Sequence, residues 1–226
     1  MDRLHRTRLL FGDIAMEKLA NSTVMVVGCG AVGSFAIEAL ARTGIGHMVV
    51  VDFDRVEATN INRQLFALES TIGTPKVDVA MQRIHDINPG IRGTALNIFF
   101  DQDTRLDIMP DYIIDAIDTV ESKIALYQWA NSHNVPLVTS MGAASKTDST
   151  KIKIAPISKT TVCPLASRVR RMIRNMNLPD FPAVYSCEPP APVIGHAKNL
   201  GSIITVTGAF GLMLANYVIG EIIHDN

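Results

Sequence analysis

Arg63, Lys76 and Asp118 are the charged side chains best placed in this sequence to act on a phosphate, and they gain that meaning from what precedes them. Gly28-Cys29-Gly30-Ala31-Val32-Gly33 follows an apolar β-branched run, Thr23–Val27, and opens a helix. That is the setting in which G-x-G-x-x-G binds phosphate. Gly28 permits the tight turn, Gly30 lets backbone approach a phosphate, and Gly33 lets helix and strand pack closely. The helix start then offers N–H groups and partial positive charge to an anion. Asp52 ends the next strand, where a carboxylate can accept bonds from ribose hydroxyls. The motif specifies a nucleotide and leaves open which one.

The charges around the loop separate two chemistries. A hydride-transfer enzyme needs little charge around its pyrophosphate, because that group does not react. An enzyme that adenylates must neutralise a triphosphate while pyrophosphate leaves, which calls for cations and a metal. Arg63 and Lys76 are the candidate cations. Lys76 stands in the first turn of a helix, where the dipole mildly disfavours a cation. Asp118 follows the fourth strand, at the sheet edge where ligands bind, and could hold Mg2+ bridging the phosphates. Taken singly, each has a plainer reading: surface charge for the two cations, a helix cap for Asp118. Their joint placement with the glycine loop favours ATP over NAD.

These residues need a sheet to hold them. Strand signals at Thr23–Val27, His47–Val51, Ala95–Phe99, Tyr112–Ala116 and Pro136–Ser140 alternate with helical segments at Ala31–Thr43, Glu121–His133 and a helix running to Asn88. That helix starts with Thr74 as N-cap and Pro75 in its first position. The alternation predicts an α/β fold: a Rossmann-like, mostly parallel sheet with helices on both faces, in one domain over 1–226. A sixth strand is expected between Thr150 and Pro156. A helix over about Cys163–Met176 puts Leu165, Val169, Met172, Ile173 and Met176 on one face and arginines on the other. Residues 179–192 carry five prolines and read as a loop without regular structure. An apolar helix over about 202–223 closes the pattern.

At 226 residues, 47% hydrophobic and 19% charged, the composition is that of a compact, cytoplasmic type of protein. The net charge of −1 advertises no partner, but it is unevenly spread. The basic segment 149–179 has seven Lys and Arg and no acid, so the remainder carries −8. Its Arg168, Arg170, Arg171 and Arg174 can either meet RNA phosphates or form a solvated helix face. Cys29, Cys163 and Cys187 are far apart, which argues against a disulfide framework and a structural zinc site. Cys187 is a candidate sulfur carrier, with no neighbouring base to activate it. The uncharged stretch between Lys198 and Glu221 is long enough to cross a bilayer, but its polar interruptions favour a core or dimer-interface helix and no membrane.

The segment from Asp52 to Gln64 spells D-x-D-x-V-x-x-T-N-x-x-R-Q, and G-x-P-K follows at Gly73–Lys76. The fourth strand ends I-D-A-I-D at Asp118. Together these resemble the ubiquitin-activating-enzyme-like superfamily, the group of ThiF, MoeB and HesA. The resemblance runs through nearly the whole chain, to the GSIITVTGAFGL stretch that starts at Gly201, and implies a ThiF-type adenylation domain. It implies that Asp52 binds ribose, that Asn60, Arg63 and Lys76 contact phosphates, and that Asp118 holds magnesium. Asp54 and Gln64 complete the expected nucleotide set. Arg8 is expected to reach the partner's nucleotide across a homodimer interface.

Within that superfamily, RLLFG from Arg8, ALARTGIG from Ala39, Pro164-Leu165-Ala166 before the arginines, and VYSCEPP from Val184 resemble the tRNA threonylcarbamoyladenosine dehydratase branch. In that branch a carboxylate on a modified adenosine beside the tRNA anticodon is activated with ATP and closed into a cyclic ester. Cys163 stands where that branch carries an aspartate. The alternative acceptor is the C-terminus of a ubiquitin-like or sulfur-carrier protein.

Overall fold

A computed structural model describes residues 2–192 and 200–224. Seven strands form one sheet: β1 (Thr23–Val27), β2 (His47–Val51), β3 (Arg92–Leu96), β4 (Tyr112–Asp115), β5 (Leu137–Ser140), β6 (Ile152–Pro156) and β7 (Pro182–Ser186). Their order is β3-β2-β1-β4-β5-β7-β6, parallel throughout except that β6 runs antiparallel to β7. Among the described residues, six α-helices accompany them: α1 (His5–Asn21), α2 (Gly33–Thr43), α3 (Lys76–Ile87), α4 (Val120–Ser132), α5 (Pro164–Asn175) and α6 (Ile204–His224).

The two faces of β1 show how the layers arise. Val24 and Val26 point into a core shared with α2, α3 and α6, while Met25 and Val27 point into a second core under α4 and α5. Period-two alternation of apolar residues on both faces is what a parallel sheet covered by helices on both sides requires. The α6 helix passes the length and hydropathy test for a membrane span, yet 56% of its most apolar window is buried inside the fold. Val206, Phe210, Leu214 and Val218 reach the same core as α2.

Three expectations need correction. The segment 179–192 contains β7, an inner strand paired with both β5 and β6. Its prolines bracket a proline-free run, Ala183–Ser186, and Pro182 occupies the first strand position, where a missing N–H is tolerated. The third strand is Arg92–Leu96 rather than Ala95–Phe99. It is an edge strand with largely exposed side chains, so the apolar run after it pointed to the wrong residues. Finally, α3 begins at Lys76. Pro75, with ψ of 134°, lies outside the helix in an isolated bridge to Arg55, and no side chain caps the start. α1, for which the sequence offered no strong signal, is broken at Gly12, where φ is +81°. The arginine helix matches its expected span within one residue at each end, but Met176 is exposed.

Candidate active site

The strand order reverses direction between β1 and β4, and a cleft of about 690 Å³ opens at their carboxyl ends. Such switch points are where open α/β sheets bind ligands. Gly28, at φ +99°, turns the chain out of β1; a Cβ there would lie 2.7 Å from the Ala116 carbonyl oxygen. A Cβ at Gly33 would lie 1.7 Å from the Gly28 carbonyl oxygen, so α2 can start here only as glycine. Gly30 lines the cleft, and a Cβ there would meet only the Gln64 side chain, its Nε2 at 3.9 Å.

Asp52 clamps this loop from the next strand. One carboxylate oxygen accepts the Cys29 N–H at 2.6 Å and the other accepts the Asp54 N–H at 2.8 Å. Each oxygen keeps a further lone pair for a ligand hydroxyl. Cys29 is buried, and desolvation pushes its thiol well above the ordinary value, which leaves it a packing residue.

A short 3-10 turn at Ala58–Asn60 carries the next contributions. Buried Asn60 accepts the Glu57 N–H through its side chain, and its backbone carbonyl accepts the N–H groups of both Arg63 and Gln64. Ser34 in α2 ties the turn down by accepting the Leu65 N–H at 3.1 Å. Arg63 lines the cleft and donates to the Thr59 carbonyl and the Asn62 side chain, both at 2.8 Å. Lys76 is buried and bonded to Asp54 twice over: its N–H donates to the Asp54 carbonyl at 2.9 Å and its ammonium to the Asp54 carboxylate at 2.7 Å. That pair explains a cation in the first turn of α3. The helix dipole is offset by a carboxylate, and the ammonium is held toward the cleft it lines.

Asp118 lies on the opposite wall, exposed to the cleft and without a hydrogen-bonded partner among the described residues. Beneath it is a pair that sequence reasoning missed. Lys123 and Asp115 are fully buried and joined at 2.7 Å. Thr139 donates to the same carboxylate oxygen at 2.6 Å, and the other oxygen accepts the Ile117 N–H at 3.0 Å. Burial lowers the Lys123 pKa against the opposing pull of Asp115. The pair anchors the loop that carries Asp118. The available signal was Asp115 itself, a carboxylate ending an apolar strand and so in need of a buried counter-charge.

Phe53 and Phe99 were also missed. They line the cleft and meet edge-to-face at 4.9 Å, both substantially exposed. Exposed aromatics on a cleft wall are the available signal.

The remaining candidates fall outside the cleft. Arg8 pairs on the surface with Asp2 at 3.3 Å and Asp13 at 2.6 Å and does not line the cleft of its own chain. Leu165 in the first turn of α5 does line the cleft, which brings the arginine helix to its edge. Arg168, Arg171 and Arg174 are exposed, with Arg168 3.6 Å from Glu121. Arg170 departs from the expected set. It is half-buried and donates to the carbonyl of Thr160 at 2.9 Å, which closes the turn before α5. Cys163 caps α5, its sulfur accepting the Ala166 N–H at 3.5 Å, so it fills the helix-capping role that an aspartate also performs. Cys187 is half-buried, its thiol donating to the Lys151 carbonyl at 3.4 Å.

No group of three or more His, Cys, Asp or Glu converges among the described residues. A magnesium ion here would need only one carboxylate together with phosphate oxygens and water, and a free, exposed Asp118 fits that requirement.

The fold and cleft together define a nucleotide-binding α/β protein equipped for a triphosphate. The chain belongs to the ThiF family, whose model matches residues 4–225. It is 49% identical to the tRNA threonylcarbamoyladenosine dehydratase of Bacillus subtilis over 177 residues, 77% of this chain and 70% of that protein. The crystal structure of the Escherichia coli tRNA N6-threonylcarbamoyladenosine dehydratase in complex with ATP superposes with a TM-score of 0.91 at 34% identity, covering 97% of this chain and 93% of that one. The AMP complex of the same enzyme gives 0.91 at 35% identity, with the same coverage.

Proposed function

We propose that this protein adenylates a carboxylate with ATP and closes threonylcarbamoyladenosine in tRNA into its cyclic form. The observation that carries the reading is the convergence of the glycine loop, Arg63, Lys76 and Asp118 on one cleft, with the arginine helix at its edge. The similarity to dehydratases whose structures hold ATP and AMP supports it.

In this account the first turn of α2 and the backbone at Gly30 receive the phosphates, and Asp52 receives the ribose hydroxyls. Gln64 and Asn60 shape the wall beside the glycine loop. Phe53 and Phe99 offer flat apolar surface to the purine. A substrate carboxylate oxygen attacks the α-phosphorus, the bond to pyrophosphate breaks, and an acyl-adenylate forms. Arg63 and Lys76 stabilise the charge that gathers on the leaving pyrophosphate. Asp54 positions Lys76 through their ion pair. Asp118 would hold Mg2+, which supplies charge neutralisation between the phosphates when bound. The carbamoyl oxygen then attacks the activated carbonyl, AMP leaves with one oxygen of the original carboxylate, and the carbamoyl N–H proton is released to solvent as the ring C=N bond forms. The substrate has thereby lost one water.

Arg168, Arg171 and Arg174 are assigned to tRNA phosphates. Arg170 is assigned to folding, because its guanidinium is committed to Thr160. A homodimer accounts for the N-terminal helix. Leu9, Leu10 and Ile14 are each more than two-thirds exposed, an apolar patch beside Arg8 that a second copy would cover. Arg8 then has a route to the partner's cleft. The substrate sets the reaction in the cytoplasm, with residues 1–226 acting as one adenylation unit.

The test is ATP–pyrophosphate exchange. Exchange is expected with tRNA bearing threonylcarbamoyladenosine and to vanish without the modified base. Exchange that responds instead to a ubiquitin-like or sulfur-carrier tail would replace this reading.

A further inference from the structure

The cleft is faced by a second helix start whose polar groups have no part in the chemistry described so far. Asp118 and Thr119 lead into α4, and Thr119 caps it with no side-chain bond. Lys123 is the first residue whose N–H finds a carbonyl, that of Thr119 at 3.1 Å. The N–H groups of residues 120–122 precede it, as the unpaired donors of a helix start must. Ser122, in this first turn, lines the cleft and is only 3% exposed. Its hydroxyl is the one buried side-chain polar atom without a hydrogen-bond partner among the described residues. A buried hydroxyl left unsatisfied is costly, so each one calls for a partner, be it a water, an ion or a ligand.

We propose that the first turn of α4, with the Ser122 hydroxyl, receives the carboxylate of the tRNA substrate; this rests on the adenylation reading above. The glycine loop that leads into α2 and the first turn of α4 then face one cleft from adjoining strands, one for the phosphates of ATP and one for the attacking carboxylate. Helix starts favour anions, and the Ser122 O–H donates where a carboxylate has free lone pairs. The subsite also answers an electrostatic difficulty. The attacking group is an anion that must approach both a triphosphate and the Asp118 carboxylate, and a helix dipole with a neutral donor offsets part of that repulsion without tying up a cation.

The experiment compares wild type with Ser122→Ala, using tRNA bearing threonylcarbamoyladenosine as substrate. The expected result is a rise of about tenfold in KM for the tRNA, the scale of losing one hydrogen bond to a charged group, with KM for ATP unchanged. The unfolding temperature of the free protein should hold or rise, because the hydroxyl lost no internal partner. An unchanged tRNA KM overturns the proposal. So does a KM increase confined to ATP or a change only in inhibition by pyrophosphate, which would assign the turn to the leaving group. A lower unfolding temperature would reveal an internal partner for Ser122 and likewise overturn it. Wild type that turns over no tRNA at all fails the adenylation reading instead, and is recognised before the variant is measured.

Discussion

Asp118 carries the sharpest prediction at the scale of single residues. It is exposed and makes no hydrogen bond to the described residues, so Asp118→Asn should change stability by no more than about 0.5 kcal/mol. Adenylation should nonetheless fall to background, measured as pyrophosphate release beside a thermal melt. A variant that melts early would make Asp118 structural and remove it from the mechanism. His47 predicts a pH effect on stability. Burial lowers its pKa below the ordinary 6.5, with the Arg92 charge adding to the shift. The Arg92 guanidinium donates to Nδ1 at 2.7 Å, which leaves Nε2–H to donate to Thr94 at 3.0 Å, so the folded state holds the ring neutral. The unfolded chain takes up the proton first as pH falls, so stability declines as pH drops through about 6.5. Unfolding midpoints measured down this range should fall in wild type and fall less in His47→Gln; equal slopes would exclude His47 as the source. The site residues were legible to different degrees. Arg63, Lys76 and Asp118 stand in fixed spacing after a glycine loop, a local pattern. The Lys123–Asp115 pair is closed by tertiary packing, and a lysine within a helix reads as a solvent-facing charge until its neighbours are known.

Elements show the same division between local and distant information. β1, β2 and α2 were read closely because an apolar run, a glycine turn and a periodic helix follow each other directly. β7 was hidden, because prolines on either side of Ala183–Ser186 mark a loop while the pairing that makes it a strand comes from β5 and β6. The arginine helix α5 was legible as amphipathic, but not that Arg170 would turn back to close the preceding loop. This split yields a prediction about the helix. Arg171→Ala with Arg174→Ala should weaken tRNA binding and flatten its log–log salt dependence by about 0.7 to 0.9 for each phosphate no longer neutralised, leaving ATP affinity unchanged. Filter binding at several salt concentrations measures it. An unaltered slope would reduce α5 to a solvated face. Arg170→Ala should instead lower the melting temperature, since it removes the bonds to Thr160.

At the scale of the whole molecule, charge and apolar surface are unevenly distributed, and the proposed function gives each a partner. Under the proposed function the basic segment would draw RNA toward the cleft edge, and the rest of the chain, at −8, would discourage binding elsewhere. The apolar patch at Leu9, Leu10 and Ile14 lies on the N-terminal helix with Arg8. Sedimentation should give a dimer, and Leu10→Glu with Ile14→Glu should give a monomer with little activity. Mixed dimers of Arg8→Ala and Asp118→Ala subunits should recover one working cleft if Arg8 acts in trans. An active monomer would contradict both statements. Beneath these lies the reaction itself. The decisive measurement is the mass of the modified nucleoside released from tRNA after incubation with this protein and ATP. The structure and its relatives predict a nucleoside lighter by one water, formed only when ATP is present. An unchanged nucleoside in the presence of ATP and intact, dimeric protein would contradict the assignment.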